Sequence, residues 1–190
     1  MRQQADRRFV VVSGLPGSGK SWLALKLAPL LCLAVIDKDD ILERLFDARG
    51  IGDSEWRRTL SRESDLIFRR ESEDSNGALL VSFWHLPGMS PDRGTPADWL
   101  AGLSSRIVNL NCECPVEVAA ARFNQRTRHP GHLDSARSRE EILISIEDLA
   151  RFKPLEIGER VSVDTSGEVK PAALASQICG AFERTHGLID

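Results

Sequence analysis

The sequence predicts an α/β fold, a parallel β-sheet with helices on both faces, and three observations carry that prediction. Short apolar runs rich in β-branched residues alternate with longer stretches of helical periodicity, the order that crossover helices between parallel strands require. The first run passes through a Gly- and Pro-rich loop straight into a helix. A chain of 190 residues that is 42% hydrophobic and 28% charged, with 14 Gly and 9 Pro, fits one globular domain and excludes disorder, collagen and coiled coil.

Each element then follows in order. Residues 9–13 form a strand that stops at Gly14, and residues 21–31 follow as the first helix. A second strand, 33–36, runs into the acidic cluster Asp37, Lys38, Asp39, Asp40 and then a helix over 41–48. After a break at 50–53 comes a long, charge-rich helix, 54–72, expected to turn Trp56, Leu60, Leu66, Ile67 and Phe68 inward. Residues 77–84 are the third strand and 107–112 the fourth. The loop 87–96 between them, dense in Gly, Pro, Ser and Asp, is large enough to border a site. A helix opens over 115–123. The polar stretch 124–137, punctuated by His129, Pro130 and Gly131, reads as a mobile lid within the segment 122–139. Ser138 caps the return helix 138–152 with Glu141 in the capping-box position, and a fifth strand, 161–163, and a helix, 170–182, close the chain.

Charge and composition narrow the function classes. Lys+Arg 25 against Asp+Glu 28 leaves a net charge of -3, which argues against holding nucleic acid by the whole surface. The longest apolar run, 27–36, is broken by Pro29 and is too short to span a bilayer. Residues 1–8 are polar and lack a signal-peptide core, so a soluble cytoplasmic protein with no membrane partner is expected. Three of the four cysteines (Cys32, Cys112, Cys114, Cys179) lie in apolar stretches and read as small, reduced core residues. A metal site from Cys112, Cys114, His129 and His132 is the alternative, but C-x-C and H-x-x-H are not the common structural zinc spacings.

The strongest signal is Gly14, Leu15, Pro16, Gly17, Ser18, Gly19, Lys20, Ser21, which fits G-x-x-x-x-G-K-[ST] between a strand and a helix. Glycines let successive backbone N–H groups point into one concavity, and the following helix adds its positive end, so a polyphosphate is the natural ligand. Lys20 would neutralise the β/γ-phosphates, and the Ser21 hydroxyl would be a ligand of Mg²⁺.

Carboxylates at the end of the second strand lie where open α/β sheets bind ligands. One of them can accept the proton of an attacking hydroxyl; a helix N-cap is the other reading of Asp39 or Asp40. In the segment 122–139 five arginines (Arg122, Arg126, Arg128, Arg137, Arg139) face the single acid Asp134, a local charge of +4. Arg122 and Arg126 are four apart, so one helix face should carry both forks toward a transferring phosphoryl group. Trp84 and His85 follow the third strand and, with Trp56 and Trp99, offer aromatic walls for a small organic acceptor or, equally, core packing.

These residues together resemble the small P-loop kinase group that includes gluconate kinase, chloramphenicol phosphotransferase, the zeta toxins and the kinase domain of polynucleotide kinase. The resemblance rests on Gly14 to Ser21, Asp37 to Asp40, Arg122 with Arg126, and Val163-Asp164-Thr165-Ser166 after the last strand. It implies a P-loop NTPase three-layer sandwich with sheet order 2-3-1-4-5, and ATP and Mg²⁺ as cofactors. It further implies Asp39 as general base toward the acceptor, Arg122 and Arg126 on the ATP phosphates, and Thr165 to Gly167 near the adenine. Many P-loop enzymes end the third strand with an acid, whereas this strand reads Leu79-Leu80-Val81-Ser82-Phe83-Trp84-His85, so Ser82 or Asp37 must complete the metal shell. The expectation is a kinase acting on a hydroxyl of a small molecule, with substrate contacts from Asp37, Asp39, Asp40, Trp84 and His85. A polynucleotide end kinase and a toxin-like or regulatory nucleotide-binding protein are the alternatives.

Overall fold

The structure is a computed structural model and describes residues 7–186; the polar amino-terminal stretch that weighed against a signal peptide lies almost wholly outside them. In chain order the elements are β1 (Arg8–Gly14), α1 (Lys20–Leu31), β2 (Ala34–Asp37), α2 (Lys38–Arg49), α3 (Ser54–Asp74), β3 (Gly77–Val81), β4 (Arg106–Glu113), α4 (Val116–Gln125), α5 (Arg139–Ala150), β5 (Glu159–Asp164) and α6 (Pro171–His186). The five strands form one parallel sheet in the order β2-β3-β1-β4-β5. Both the parallel class and the strand order agree with expectation.

The central strand shows why the sheet is covered on both faces. In β1, Val10 and Val12 pack with Leu23 and Leu27 of α1 and Ile178 and Phe182 of α6. The alternate residues Phe9 and Val11 pack with Phe68 of α3, Leu80, Trp84, Leu100 and Leu155. Successive side chains of a strand point to opposite faces, so an uninterrupted apolar run needs helices on each side. A third cluster joins Ala119, Ala120 and Phe123 of α4 to Ile142 and Ile146 of α5, with Leu15 against it, and so seats the α4–α5 pair on the phosphate loop. The Ser138–Glu141 capping box forms as read, with both reciprocal bonds present at 3.1 and 2.7 Å.

Three local expectations are corrected. Leu66 is 71% exposed, because α3 buries the i, i+4 row Leu60, Ser64, Phe68 and Ser72 and residue 66 falls on the opposite side of that row. The third strand ends at Val81 rather than at residue 84. Beyond Val81, Thr95 donates its N–H to Phe83 O at 2.7 Å and accepts the His85 N–H at 2.8 Å, which turns the chain into the 87–96 loop. Cys32 is exposed, since it ends α1 in the left-handed region at φ 53°, whereas Cys112 is buried as expected. Among the described residues no helix is long and apolar enough to cross a membrane.

Candidate active site

The phosphate loop leaves β1 and enters α1 through a backbone that needs glycine. Gly17 has φ +82°, and a Cβ there would lie 2.1 Å from the Ala119 carbonyl oxygen of α4. Gly19 caps α1 at φ +86° with no side-chain cap bond and no acid in the first turn, so the first N–H groups of the helix stay available to an anion. Lys20 Nζ donates to the carbonyls of Gly14 and Leu15 at 3.0 and 2.9 Å. Burial pulls its ammonium below the ordinary lysine value.

The end of β2 meets the same place. Asp37 is 8% exposed; its Oδ2 accepts the Ser21 hydroxyl at 2.6 Å, and its Oδ1 accepts the Asp39 N–H at 2.9 Å as the N-cap of α2. The cap of this helix is therefore Asp37, not Asp39 or Asp40. Burial, opposed by the Ser21 hydrogen bond, pushes the Asp37 carboxyl up to about 6. Capping by Asp37 leaves the Asp39 carboxylate free of the backbone, and it is taken instead by Arg128 Nη2. Burial alone would raise Asp39, but Arg128, His132, Arg126 and Lys20 outweigh it and hold the carboxyl below its usual range. Asp40 is exposed and makes none of these hydrogen bonds, though its charge helps raise the Asp37 carboxyl. Ser82, the other metal candidate, sits 2.6 Å from the Thr95 hydroxyl, which leaves Asp37 as the acid beside Ser21.

The arginines separate. Helix α4 stops at Gln125, and Arg126 is already extended at ψ 140°, so the expected shared face of Arg122 and Arg126 does not exist. Arg122 donates to the carbonyls of Thr165 at 2.8 Å and Ser166 at 3.3 Å. Arg126 stacks on the Phe123 ring at 4.0 Å and lies 3.8 Å from Asp134; burial and Arg128 bring it down to about 10. Thr165 is buried with its hydroxyl 2.8 Å from Ser18 O and 2.9 Å from Glu113 O, so it braces the phosphate loop, while Ser166 and Gly167 beside it are exposed.

The segment 124–137, expected to act as a lid, packs against α2. It folds into two short turns, Pro130–His132 and Asp134–Ala136, and three acids spaced four apart on α2 grip it. Asp39 holds Arg128, Glu43 holds His132 at 2.9 Å, and Asp47 holds His129 at 3.2 Å. The Phe46 ring stacks on His129 at 5.3 Å and meets the edge of His132 at 5.5 Å. These contacts spend the histidines that a metal site with Cys112 and Cys114 would need, and the described residues hold no metal-type cluster of His, Cys, Asp and Glu. Arg128 is the residue that helical spacing passed over. The i, i+4 acidic stripe Asp39, Glu43, Asp47 opposite a basic segment was its sequence signal.

Trp84 is 2% exposed, donates Nε1 to Val12 O at 2.9 Å and packs on Phe68. It is a core residue whose edge, with Phe83, Leu86 and Phe152, borders a cavity of about 230 Å³ next to Gly14 and Leu15. His85 Nδ1 lies 2.8 Å from Arg93 O and braces its own loop. Trp56 bonds Gly50 O at 3.1 Å and Trp99 bonds Pro96 O at 2.8 Å, so both close turns.

Sheet order and phosphate loop define this chain as having the fold of the P-loop small-molecule kinases. A candidate kinase of Chloroflexus aurantiacus superposes with a TM-score of 0.72 at 20% identity, covering 95% of this chain and 98% of that one. A gluconokinase of Sinorhizobium meliloti superposes at 0.53 with 17% identity and 97% of each chain. A shikimate kinase of Bacteroides thetaiotaomicron does so at 0.52 with 17% identity, covering 96% and 98%. The AAA domain family matches residues 9–143, and the chain belongs to that family. In sequence it is also similar to a cytidylate kinase of Ignicoccus hospitalis, 28% identical over 138 residues, 70% of this chain and 74% of that protein.

Proposed function

We propose that the protein is an ATP-dependent kinase that transfers the γ-phosphoryl group of Mg-ATP to a hydroxyl of a small molecule. The whole chain acts as one unit, with residues 122–139 as its lid. The observation that carries this reading is the meeting of the phosphate loop with the end of β2, where Ser21 Oγ and Asp37 Oδ2 are 2.6 Å apart and Asp39 stands two residues on. A mechanical ATPase has no use for a second, uncapped carboxylate at that place.

The residues fit the ligands they would hold. Open N–H groups at the start of α1 and the Lys20 ammonium suit the β- and γ-phosphates. A hydroxyl beside a carboxylate is an all-oxygen donor pair of the kind Mg²⁺ takes, and Ser21 and Asp37 would hold it here. When bound, Mg²⁺ neutralises charge on the transferring group. Arg126 lends its charge to the same group, and Asp39 takes the proton of the acceptor hydroxyl as that oxygen bonds to the γ-phosphorus. The bond from that phosphorus to the ADP oxygen breaks.

The experiment is ADP formation with Mg-ATP across sugars, nucleosides, aminoglycosides and oligonucleotide ends, with ³¹P NMR of the product. A phosphomonoester is expected. ATP binding without transfer to any hydroxyl would point to a regulatory or toxin-like role. The cytidylate kinase likeness favours a second reading, transfer to a phosphate oxygen, whose product is an anhydride with a distinct ³¹P signal. A phosphate oxygen is already ionised at neutral pH and needs no base, so Asp39 favours the hydroxyl.

A further inference from the structure

The cavity of about 230 Å³ beside Gly14 and Leu15 is left unused by the proposed phosphoryl transfer, for Lys20, Asp37, Asp39 and the arginines of 122–139 do not line it. Its walls are largely apolar, with Phe83 and Trp84 from beyond β3 and Leu149, Phe152 and Leu155 from α5 and the turn after it. Strand β4 supplies a polar side. Asn109, Asn111 and Glu113 alternate along that strand and so share one face of the sheet. The Ser13 hydroxyl gives its single proton to Asn109 Oδ1 at 2.7 Å and lies 3.4 Å from Asn111 Oδ1. Asn111 Nδ2 donates to Glu113 Oε1 at 2.8 Å, and the Ser162 hydroxyl donates to the same oxygen at 2.7 Å. A carboxylate only accepts, which sets the Asn111 amide with its nitrogen toward Glu113. Asn111 is 8% exposed, so its Oδ1 is a buried acceptor with one long contact, and Glu113 Oε2 takes none of these bonds.

Glu113 is the one charged side chain among the described residues lining the cavity. Burial pushes the Cys112 thiol up to about 12 and raises Cys114 as well, so these two neighbours in the wall add no second negative charge. Apart from such weak thiol donors, the side-chain groups left open are acceptors. A ligand that satisfies them brings N–H donors and positive charge, and its remainder must be apolar to suit the walls. An apolar cavity of roughly 150 Å³ takes a benzene ring, so this larger one has room for a ring and a short chain. We propose that the cavity is a second binding site, for a primary amine carried on an aromatic ring, with the ring among Phe83, Trp84 and Phe152 and the ammonium on Glu113 Oε2 and Asn111 Oδ1. An anion of the same shape meets Glu113 with like charge and is rejected. A neutral alcohol gives a hydrogen bond without the charge and falls between the two.

The probes are phenethylamine, 2-phenylethanol and 3-phenylpropionate, one ring bearing a cation, a hydroxyl or an anion. Each is titrated calorimetrically into the whole chain, first without nucleotide and then with Mg²⁺ and a non-hydrolysable ATP analogue at saturation. Phenethylamine should bind with a Kd of about 1 mM or tighter and 3-phenylpropionate at least about tenfold more weakly. Amide ¹⁵N shifts should gather at residues 111–114 and 149–155. Glu113→Gln should weaken the amine roughly tenfold and change the alcohol by less than about twofold. Ala150→Trp, at an exposed position of the wall, fills the cavity and should weaken both. The melting temperature of each variant shows that the fold is intact, and should Glu113→Gln unfold the protein, Ala150→Trp is read against phenethylamine in the same way. No amine binding up to about 10 mM, an anion that binds as tightly as the amine, or binding indifferent to these substitutions overturns the proposal. Phosphorylation of 2-phenylethanol by Mg-ATP makes the cavity the acceptor site and overturns its separate role. Amine binding in a protein that does not bind the analogue bears this site out and defeats the kinase reading instead.

Discussion

At the scale of single residues, two neighbouring aspartates differ because one caps a helix and the other does not. Asp37 gives both oxygens to Ser21 and the α2 N-terminus and keeps its proton up to about pH 6. In the unfolded chain the same carboxyl titrates near its ordinary value of 3.8. The native state thus binds more protons between these values, and stability falls as pH rises through that window, then levels off above about 6. A shift of that size is on the order of 3 kcal/mol. Asp37→Asn, which keeps a competent cap, should raise the melting temperature in metal-free buffer above pH 6 and converge with wild type near pH 4, while raising the Mg²⁺ requirement. A variant less stable at every pH would mean that the buried charge is favourable. Asp39→Asn has a different signature. It should lower kcat by roughly 10² to 10⁴ with Mg-ATP affinity little changed, and near-normal turnover would reduce Asp39 to an anchor for Arg128.

Elements meet the site through two contacts that can be tested separately. The phosphate loop lies so close to α4 that a methyl at Gly17 meets Ala119 O at 2.1 Å, whereas one at Gly19, with similar φ, meets nothing within 4 Å. Gly17→Ala should cost about 2–4 kcal/mol, strain plus displacement of α4, and Gly19→Ala about 1 kcal/mol. Equal costs in urea denaturation would show that the α4 contact yields freely. The second contact is the acidic stripe of α2 under the lid. Glu43→Gln removes one of three grips and should speed hydrogen exchange across residues 127–137 by roughly tenfold without ligand, with Mg-ATP and acceptor slowing it again. Exchange unaffected by either change would make the segment a static part of the fold.

For the whole molecule, the phosphate loop, the Asp37 cap and the Thr165 brace come from the carboxyl ends of β1, β2 and β5, so a nucleotide bound there ties distant parts of the sheet together. A ligand at about a hundred times its Kd adds about 2.7 kcal/mol, which for a chain of this length is a rise of roughly 5–10 °C in melting temperature. Lys20→Met should lose that rise with Mg-ATP and lose turnover with it. A full shift in the variant would mean that the nucleotide binds elsewhere.

Local information settled much of this protein in advance. Residues 14–21 specify a phosphate loop wherever a strand feeds a helix, because the conformation they need is written in their own glycines. The strand and helix order of β1 through α6 followed from periodicity, and the capping box at Ser138 from three-residue spacing. Features built by two segments far apart in sequence were decided only on folding. Whether Asp37 or Asp39 caps α2 depended on Ser21 arriving from another element. Arg126 left the helix face because α4 ended one residue before it, and Arg128 found Asp39 only because Phe46 and the acidic stripe of α2 hold residues 128–132 down. Side-chain identity and spacing determine what a segment can do on its own; which charge meets which depends on the path of the chain between them, and that path is set by packing.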